Sequence, residues 1–167
     1  MNSILDRTPL LQSDLAPRDG NSYVKGPKVP PLAYTSISKL LRDAAQQYGS
    51  REALIFPNNR LSYYDFDETV DALAAGFLAL GLDKGDRLGI WSPNRLEWVL
   101  TQFATARIGV LLVNINPAYR LSELEYSLNT VGCKAIVLAQ SLKSSNYLQM
   151  IRTCCARGGV LHQNKSG

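Results

Sequence analysis

The stretch that decides the fold runs from Gly81 to Ala139: GLDKGDRLGIWSPNRLEWVLTQFATARIGVLLVNINPAYRLSELEYSLNTVGCKAIVLA. Asp86 to Trp91 is an apolar run of buried-strand length. Ser92-Pro93-Asn94 then opens a helix, with Pro93 in the first turn, Asn94 and Glu97 at capping-box spacing, and a core stripe of Leu96, Val99, Leu100 and Phe103. Gly109 to Val113 is the next strand and residues 114–120 a loop. Ser122 with Glu125 caps a helix bearing Leu124, Leu128 and Val131, which Gly132 ends. Lys134 to Ala139 returns as a strand. Strands alternating with helices of this length predict right-handed βαβ crossovers and an α/β fold, a mainly parallel sheet with flanking helices.

Working outward, Ile37, Leu40, Leu41, Ala44, Ala45 and Tyr48 recur at helical spacing, and Gly49 supplies a stop. Ala53 to Phe56, a turn at residues 57–60, and Leu61 to Tyr63 predict a small hairpin. Ser62 with Asp65 starts a second helix whose buried face is Phe66, Val70, Leu73, Ala74, Phe77 and Leu80, ending at Gly81. Beyond residue 139, a last helix is expected from about Ser141, carrying Tyr147, Leu148, Ile151 and Cys154. Five prolines and two glycines make residues 1–34 an extended lead-in. The expected organisation is therefore a lead-in at 1–34, a folded part at 35–155 and a divergent tail at 156–167.

Composition narrows the function classes. With 46% hydrophobic and 19% charged residues, the chain has enough apolar side chain for a core. The net charge of +4 is spread along the chain without a Lys/Arg run, so nucleic acid is not an expected partner. No stretch has the length and apolarity of a membrane span; the most apolar short stretch, Ile108 to Val113, has the length of a buried strand. Cys133, Cys154 and Cys155 form no C-x-x-C pair, which predicts a reduced intracellular compartment. The first 30 residues lack a secretory core and carry Asp6, Asp14 and Asp19, so the cytoplasm is expected, with the mitochondrial matrix as alternative. Only one histidine, His162, is present, and no metal set is assembled by spacing.

The order "GL-x-KGDRLGI", "PN-x-x-EW", "GVLLVNINPAYR-x-SELEYSL", then a Gly-Cys-Lys turn into an apolar strand, resembles the N-terminal subdomain of the adenylate-forming (AMP-binding) superfamily. That superfamily contains acyl-CoA synthetases, luciferases and peptide-synthetase adenylation domains. "NINPAYR-x-SELEY", together with "SYVKGP" at residues 22–27, is most similar to the fatty acyl-CoA ligase branch and its medium-chain group. The resemblance covers roughly residues 22–155. It implies a two-step reaction: a carboxylate attacks the α-phosphate of ATP to give acyl-adenylate and diphosphate, and CoA thiol then displaces AMP.

Such chemistry needs a Gly/Ser/Thr-rich loop with a Lys for the phosphates, carboxylates for magnesium, an adenine pocket and a C-terminal domain bearing a Lys. No such loop, Walker sequence or G-x-G-x-x-G occurs in these residues. The resemblance therefore carries over no catalytic, cofactor-binding or metal-ligating residue; ATP, Mg and CoA are implied for the full-length family, with fatty acid as substrate. The expectation is a truncated ligase relative, inactive alone. The alternatives are a regulatory module that docks on a full-length synthetase, and an autonomous nucleotide-binding domain. Departure from the family pattern after Cys155 points to an alternative exon, a frameshift or a gene-model error, with a short relative bearing its own tail as the other option. Without later sequence, Leu111 to Val113 and Val137 are expected to be partly exposed.

Individual residues have ordinary readings. Arg120 or Tyr119 is a candidate for reaching a nucleotide or a partner; Pro117 fixing the turn and Arg120 pairing with Glu123 or Glu125 explains the same residues. Trp91 and Trp98 are candidates for an acyl pocket or for core. Ser92 and Asn94 stand where open α/β sheets bind ligands, and helix capping accounts for both. Asp86 and Arg87 read as a strand-entry ion pair, Cys133 as a packed small side chain, and His162 has no catalytic partner.

Overall fold

The computed structural model describes residues 34–156. Its elements are helix α1 (Ile37–Tyr48), hairpin β1 (Glu52–Phe56) and β2 (Asn59–Ser62), α2 (Tyr63–Ala79), β3 (Arg87–Trp91), α3 (Leu96–Ile108), β4 (Leu111–Asn114), α4 (Leu121–Val131), β5 (Ala135–Leu138), a second hairpin β6 (Ser141–Leu142) and β7 (Ser145–Asn146), and α5 (Tyr147–Ala156). The lead-in, the tail and the SYVKGP segment lie outside the described residues, as does His162.

Three strands form a parallel sheet in the order β4-β3-β5, so β3 is central. Side chains alternate across it, as the period of two demands. Leu88, Leu112, Ala135 and Val137 pack toward Phe66, Val70, Phe77, Leu100 and Ala104. Trp91, Val113, Ile136 and Leu138 pack toward Leu124, Leu128, Tyr147 and Ile151. The sheet is therefore covered by α1, α2 and α3 on one face and by α4 and α5 on the other. On the α4 side, Gly89 permits a close approach: a Cβ there would stand 3.0 Å from the Ile115 Cδ1 atom.

Local chemistry explains most boundaries. Ser62 accepts the Asp65 N–H while the Asp65 carboxylate accepts from Ser62, the expected reciprocal cap. Gly109 ends α3 at φ +74°, a left-handed position where a Cβ would also meet Lys84 Cγ at 2.9 Å.

Four expectations are corrected. Leu80 is 78% exposed and caps α2 instead of packing under it, because the chain has already turned by Gly81. The α3 helix begins at Leu96, two residues later than Asn94, and Arg95 occupies its N-cap without a side-chain bond. The α4 start is held by Glu123, whose carboxylate accepts the Arg120 N–H at 3.1 Å, and Ser122 and Glu125 do not form the cap. Residues 141–146 form a tight hairpin turning through Lys143 at φ +50°, so the last helix starts only at Tyr147.

The expected Asp86–Arg87 pair is also replaced. Asp86 accepts from Lys134 Nζ at 2.7 Å and from the Asp83 N–H at 2.7 Å, while Arg87 Nε donates to the Gly132 carbonyl. The register Leu88↔Ala135 sets residue 134 beside residue 87, one step from Asp86, which brings the lysine of the β5 entry to the aspartate of the β3 entry. The Lys134 hydrogen bond, then the Asp83 N–H, holds the Asp86 carboxyl below its ordinary value of 3.8. Its stabilising contribution is complete above that ordinary value and is lost as pH falls through the lowered native one. Asp86→Asn is accordingly expected to lower the urea midpoint at pH 7 and to leave a shallower loss of stability on acidification to pH ~3. An unchanged acid limb in the variant would contradict this.

Candidate functional site

The carboxyl edge of the sheet is where the chain's chemistry concentrates. The helix after β3 lies on the α1–α2 face, whereas those after its two neighbours, β4 and β5, lie on the opposite face. Loops leaving adjacent strands toward opposite faces create a crevice beyond the strand ends, the place where open α/β sheets bind ligands.

On the β4 side this crevice is closed. The Ile115 N–H donates to the Ile90 carbonyl at 3.0 Å, and the fully buried Trp91 donates its indole N–H to the Asn116 carbonyl at 3.1 Å. Trp91 also stacks on Tyr147 with ring centroids 3.6 Å apart and planes 12° apart, and the Tyr147 hydroxyl donates to the Pro117 carbonyl. The Asn116 side chain accepts the Ala118 N–H. The Asn116–Arg120 loop is thus fixed by a core tryptophan and tyrosine. Arg120 donates from its guanidinium to Ser145 Oγ at 3.0 Å and from its backbone to Glu123, so the turn-and-cap reading describes it, with the backbone supplying the Glu123 bond. The Glu123 carboxyl is held low first by its own backbone N–H, then by the Ser122 hydroxyl and the Arg120 N–H, with the Arg120 charge adding to them.

On the β5 side the crevice is open. A cavity of about 240 Å³ has Ile90, Val137 and Ala139 in its lining, with Trp98 and Gln140 beside them. Arg95 and Glu97 also line it and pair at 3.3 Å through two nitrogen–oxygen contacts. The Glu97 carboxyl is held low first by its own backbone N–H and then by Arg95, so this pair persists as opposite charges at neutral pH.

The tryptophans divide: Trp91 is core, while Trp98 lines the cavity. Ser92 lines it too, is buried, and gives its hydroxyl hydrogen to the Pro93 carbonyl at 2.9 Å. Neither Ser92 nor Asn94 caps α3, so the capping explanation for their position fails. Cys133 is a buried small side chain as expected, its thiol pushed up by burial.

A charged cluster on α1, α2 and α3 went unrecognised in the sequence. Arg107, with its side chain 9% exposed, donates to Asp67 at 2.6 Å and to Asp71, and Arg42 reaches both aspartates. The Arg107 Nε is buried with no partner among the described residues. The available signal was Asp67 and Asp71 at i,i+4 within the otherwise apolar stripe of α2, opposite an arginine in the last turn of α3. This cluster joins α1, α2 and α3, and none of its residues lines the cavity beside β5. Among the described residues, no group of three or more His, Cys, Asp or Glu could hold a metal, and no helix is long and apolar enough to cross a membrane.

A parallel sheet flanked on both faces, with a crevice at its carboxyl edge, defines an open α/β domain. Residues 41–164 match the family described as AMP-binding enzyme. The medium-chain acyl-CoA ligase ACSF2, mitochondrial, of Mus musculus is 45% identical over 141 residues, 83% of this chain and 23% of that protein. Its Homo sapiens counterpart is 43% identical over the same shares. Among solved structures, a long-chain-fatty-acid-CoA ligase (FadD1) from Archaeoglobus fulgidus aligns with TM-score 0.67 and 28% identity, covering 78% of this chain and 27% of that one. The N-terminal domain of FACL13 from Mycobacterium tuberculosis shares the fold at TM-score 0.67 and 24% identity, over 75% of this chain and 32% of that one. The chain belongs to the AMP-binding enzyme family and spans under a quarter of the length of these curated relatives.

Proposed function

We propose that residues 35–156 supply the N-terminal scaffold of a fatty acid–CoA ligase, and that the 167 residues alone form no acyl-CoA. The observation that carries this is the 45% identity to a medium-chain acyl-CoA ligase over only 23% of its length. The family reaction joins fatty acid and CoA at the expense of ATP, giving AMP and diphosphate. In this reading ATP, Mg and CoA are held by parts of a full-length enzyme beyond these residues. The clustered groups found here are spent otherwise: Arg107 on two aspartates, Arg95 on Glu97, and Lys134 on Asp86 and the Gly81 carbonyl. None is a flexible cation free to follow a migrating phosphate. The test is fatty-acid-dependent exchange of labelled diphosphate into ATP by the purified chain, with none expected above a protein-free control.

A second reading, docking on an intact synthetase, draws on one feature. Strand β4 is an edge of the described sheet, and Leu111 on it is 54% exposed. Co-purification with an intact synthetase would favour that role, and its absence leaves the first. For compartment, the relatives are named as mitochondrial, and the matrix is the location that this likeness supports.

A further inference from the structure

We infer that helix α1 is a strap over the α2–α3 pair, hinged at Gly49, held shut by Arg42 and opened by salt while the rest of the fold stays closed. This goes beyond the scaffold role proposed above and does not depend on it.

The apolar hold on α1 is light. Of its 12 residues only Leu41 and Ala45 are buried, while Ile37 and Leu40 are exposed. Leu41 enters a core cluster whose other members include Phe66 and Val70 of α2, Leu88 of β3 and Leu100 of α3. Those elements pack on one another, so lifting α1 takes one large side chain out of that cluster.

Charge divides along the same line. Arg107 of α3 pairs with Asp67 at 2.6 Å and with Asp71, both on α2, so these three groups stay matched without α1. Two carboxylates against one guanidinium leave one net negative charge, and Arg42 of α1 answers it. Its Nε stands 3.5 Å from Asp67 and its Nη2 3.1 Å from Asp71. The other charged groups of α1, Lys39 and Asp43, pair with each other within the helix. Opening therefore breaks the Arg42 contacts and leaves Arg107 with both its aspartates, so no buried charge is stranded. Arg42 and Asp71 are 47% and 44% exposed, and salt screens them far more than the buried Arg107–Asp67 pair.

The far end of the strap is fixed. The rings of Tyr48 and Tyr63 meet with centroids 5.4 Å apart, and the Tyr64 N–H donates to the Gly49 carbonyl at 3.0 Å. Gly49 stands at φ +40°, which glycine tolerates, where the chain leaves the helix. An isolated helix of this length is marginal in water, so a lifted α1 frays and its amides exchange.

Hydrogen exchange of the full 167-residue chain, followed by mass spectrometry at about 50 and 500 mM salt, tests this. Amides of α1 are expected to exchange about tenfold or more faster than those of α3. High salt is expected to speed α1 by about twofold or more and to leave α3 unmoved. Arg42→Ala is expected to speed α1 by about threefold to tenfold, the range two exposed ion pairs allow, and to remove most of the salt response. Lys39→Ala takes from α1 a charge that does not reach α2 or α3, and is expected to leave exchange and salt response nearly unchanged. Exchange of α1 in step with α3, or no salt response in the unaltered chain, would overturn the strap. So would Arg42→Ala speeding both helices alike, or Lys39→Ala matching Arg42→Ala. Diphosphate exchange by the chain would refute the scaffold reading and leave this one standing.

Discussion

Replacing Asp67 by alanine is expected to cost the folded chain about 3–5 kcal/mol, the loss typical of removing one partner from a buried ion pair. Arg107 would keep its charge in a site where its side chain is 9% exposed and its Nε is already unpartnered. Its remaining partner, Asp71, is 44% exposed and cannot neutralise it at full strength. The reverse change, Arg107→Ala, should cost less, because Arg42 Nε stands 3.5 Å from Asp67 and is more exposed. Removing both members with apolar replacements, Asp67→Leu and Arg107→Met, should cost less than Asp67→Ala alone, since no uncompensated charge remains. Urea unfolding of the four proteins at neutral pH orders these costs directly. A loss under about 1 kcal/mol for Asp67→Ala would show that the cluster is solvated and that α1, α2 and α3 are held by apolar packing alone.

Trp91→Ala is expected to cost a similar ~3–5 kcal/mol for a different reason, the cavity left by a large buried ring. The indole is fully buried, stacks on Tyr147 and supplies the hydrogen bond to the Asn116 carbonyl. Trp91→Phe keeps a ring against Tyr147 but removes the indole bond to that carbonyl, which still accepts the Tyr119 N–H, for roughly 0.5–1.5 kcal/mol. The two variants therefore separate packing from hydrogen bonding at one position. Tyr147→Phe removes the bond to the Pro117 carbonyl and should soften the same loop. Denaturant midpoints check the order Ala, Phe, wild type. An alanine variant as stable as the phenylalanine one would contradict a close-packed stack beneath the Asn116–Arg120 loop.

Much of this fold is legible in residues 81–139 because local and global preferences agree there. Gly109 and Gly132 sit at left-handed helix ends, and β3 carries a continuous apolar run because it is the central strand with both faces covered. Where the sequence misled, two local signals competed. Asn94 has capping spacing to Glu97, yet Glu97 is satisfied by its own backbone and by Arg95, so the helix starts later. At α4, Ser122–Glu125 and Arg120–Glu123 offer overlapping boxes, and the latter wins where Pro117 and Tyr119 have set the turn. The β6–β7 hairpin has only two residues per strand, too few to display a period.

The candidate site was half legible. Trp98 and Ser92 are marked by position along the chain and line the cavity, whereas Asn94, marked with them, does not; which crevice stays open depends on β5 lying beside β3, a non-local fact. The pairing of Asp86 with Lys134 and of Asp67 with Arg107 in particular is non-local in the same way, across 48 and 40 residues. No spacing rule reaches across a crossover.

The central claim is that the groups which bind and activate ATP's phosphates belong to polypeptide beyond these 167 residues. It is tested most directly by incubating the purified chain, freed of contaminating ligase, with a medium-chain fatty acid, CoA, magnesium and ATP, and measuring thioester by mass spectrometry. The account predicts none above the ATP-free control. ATP-dependent thioester that tracks the chain through purification would contradict it.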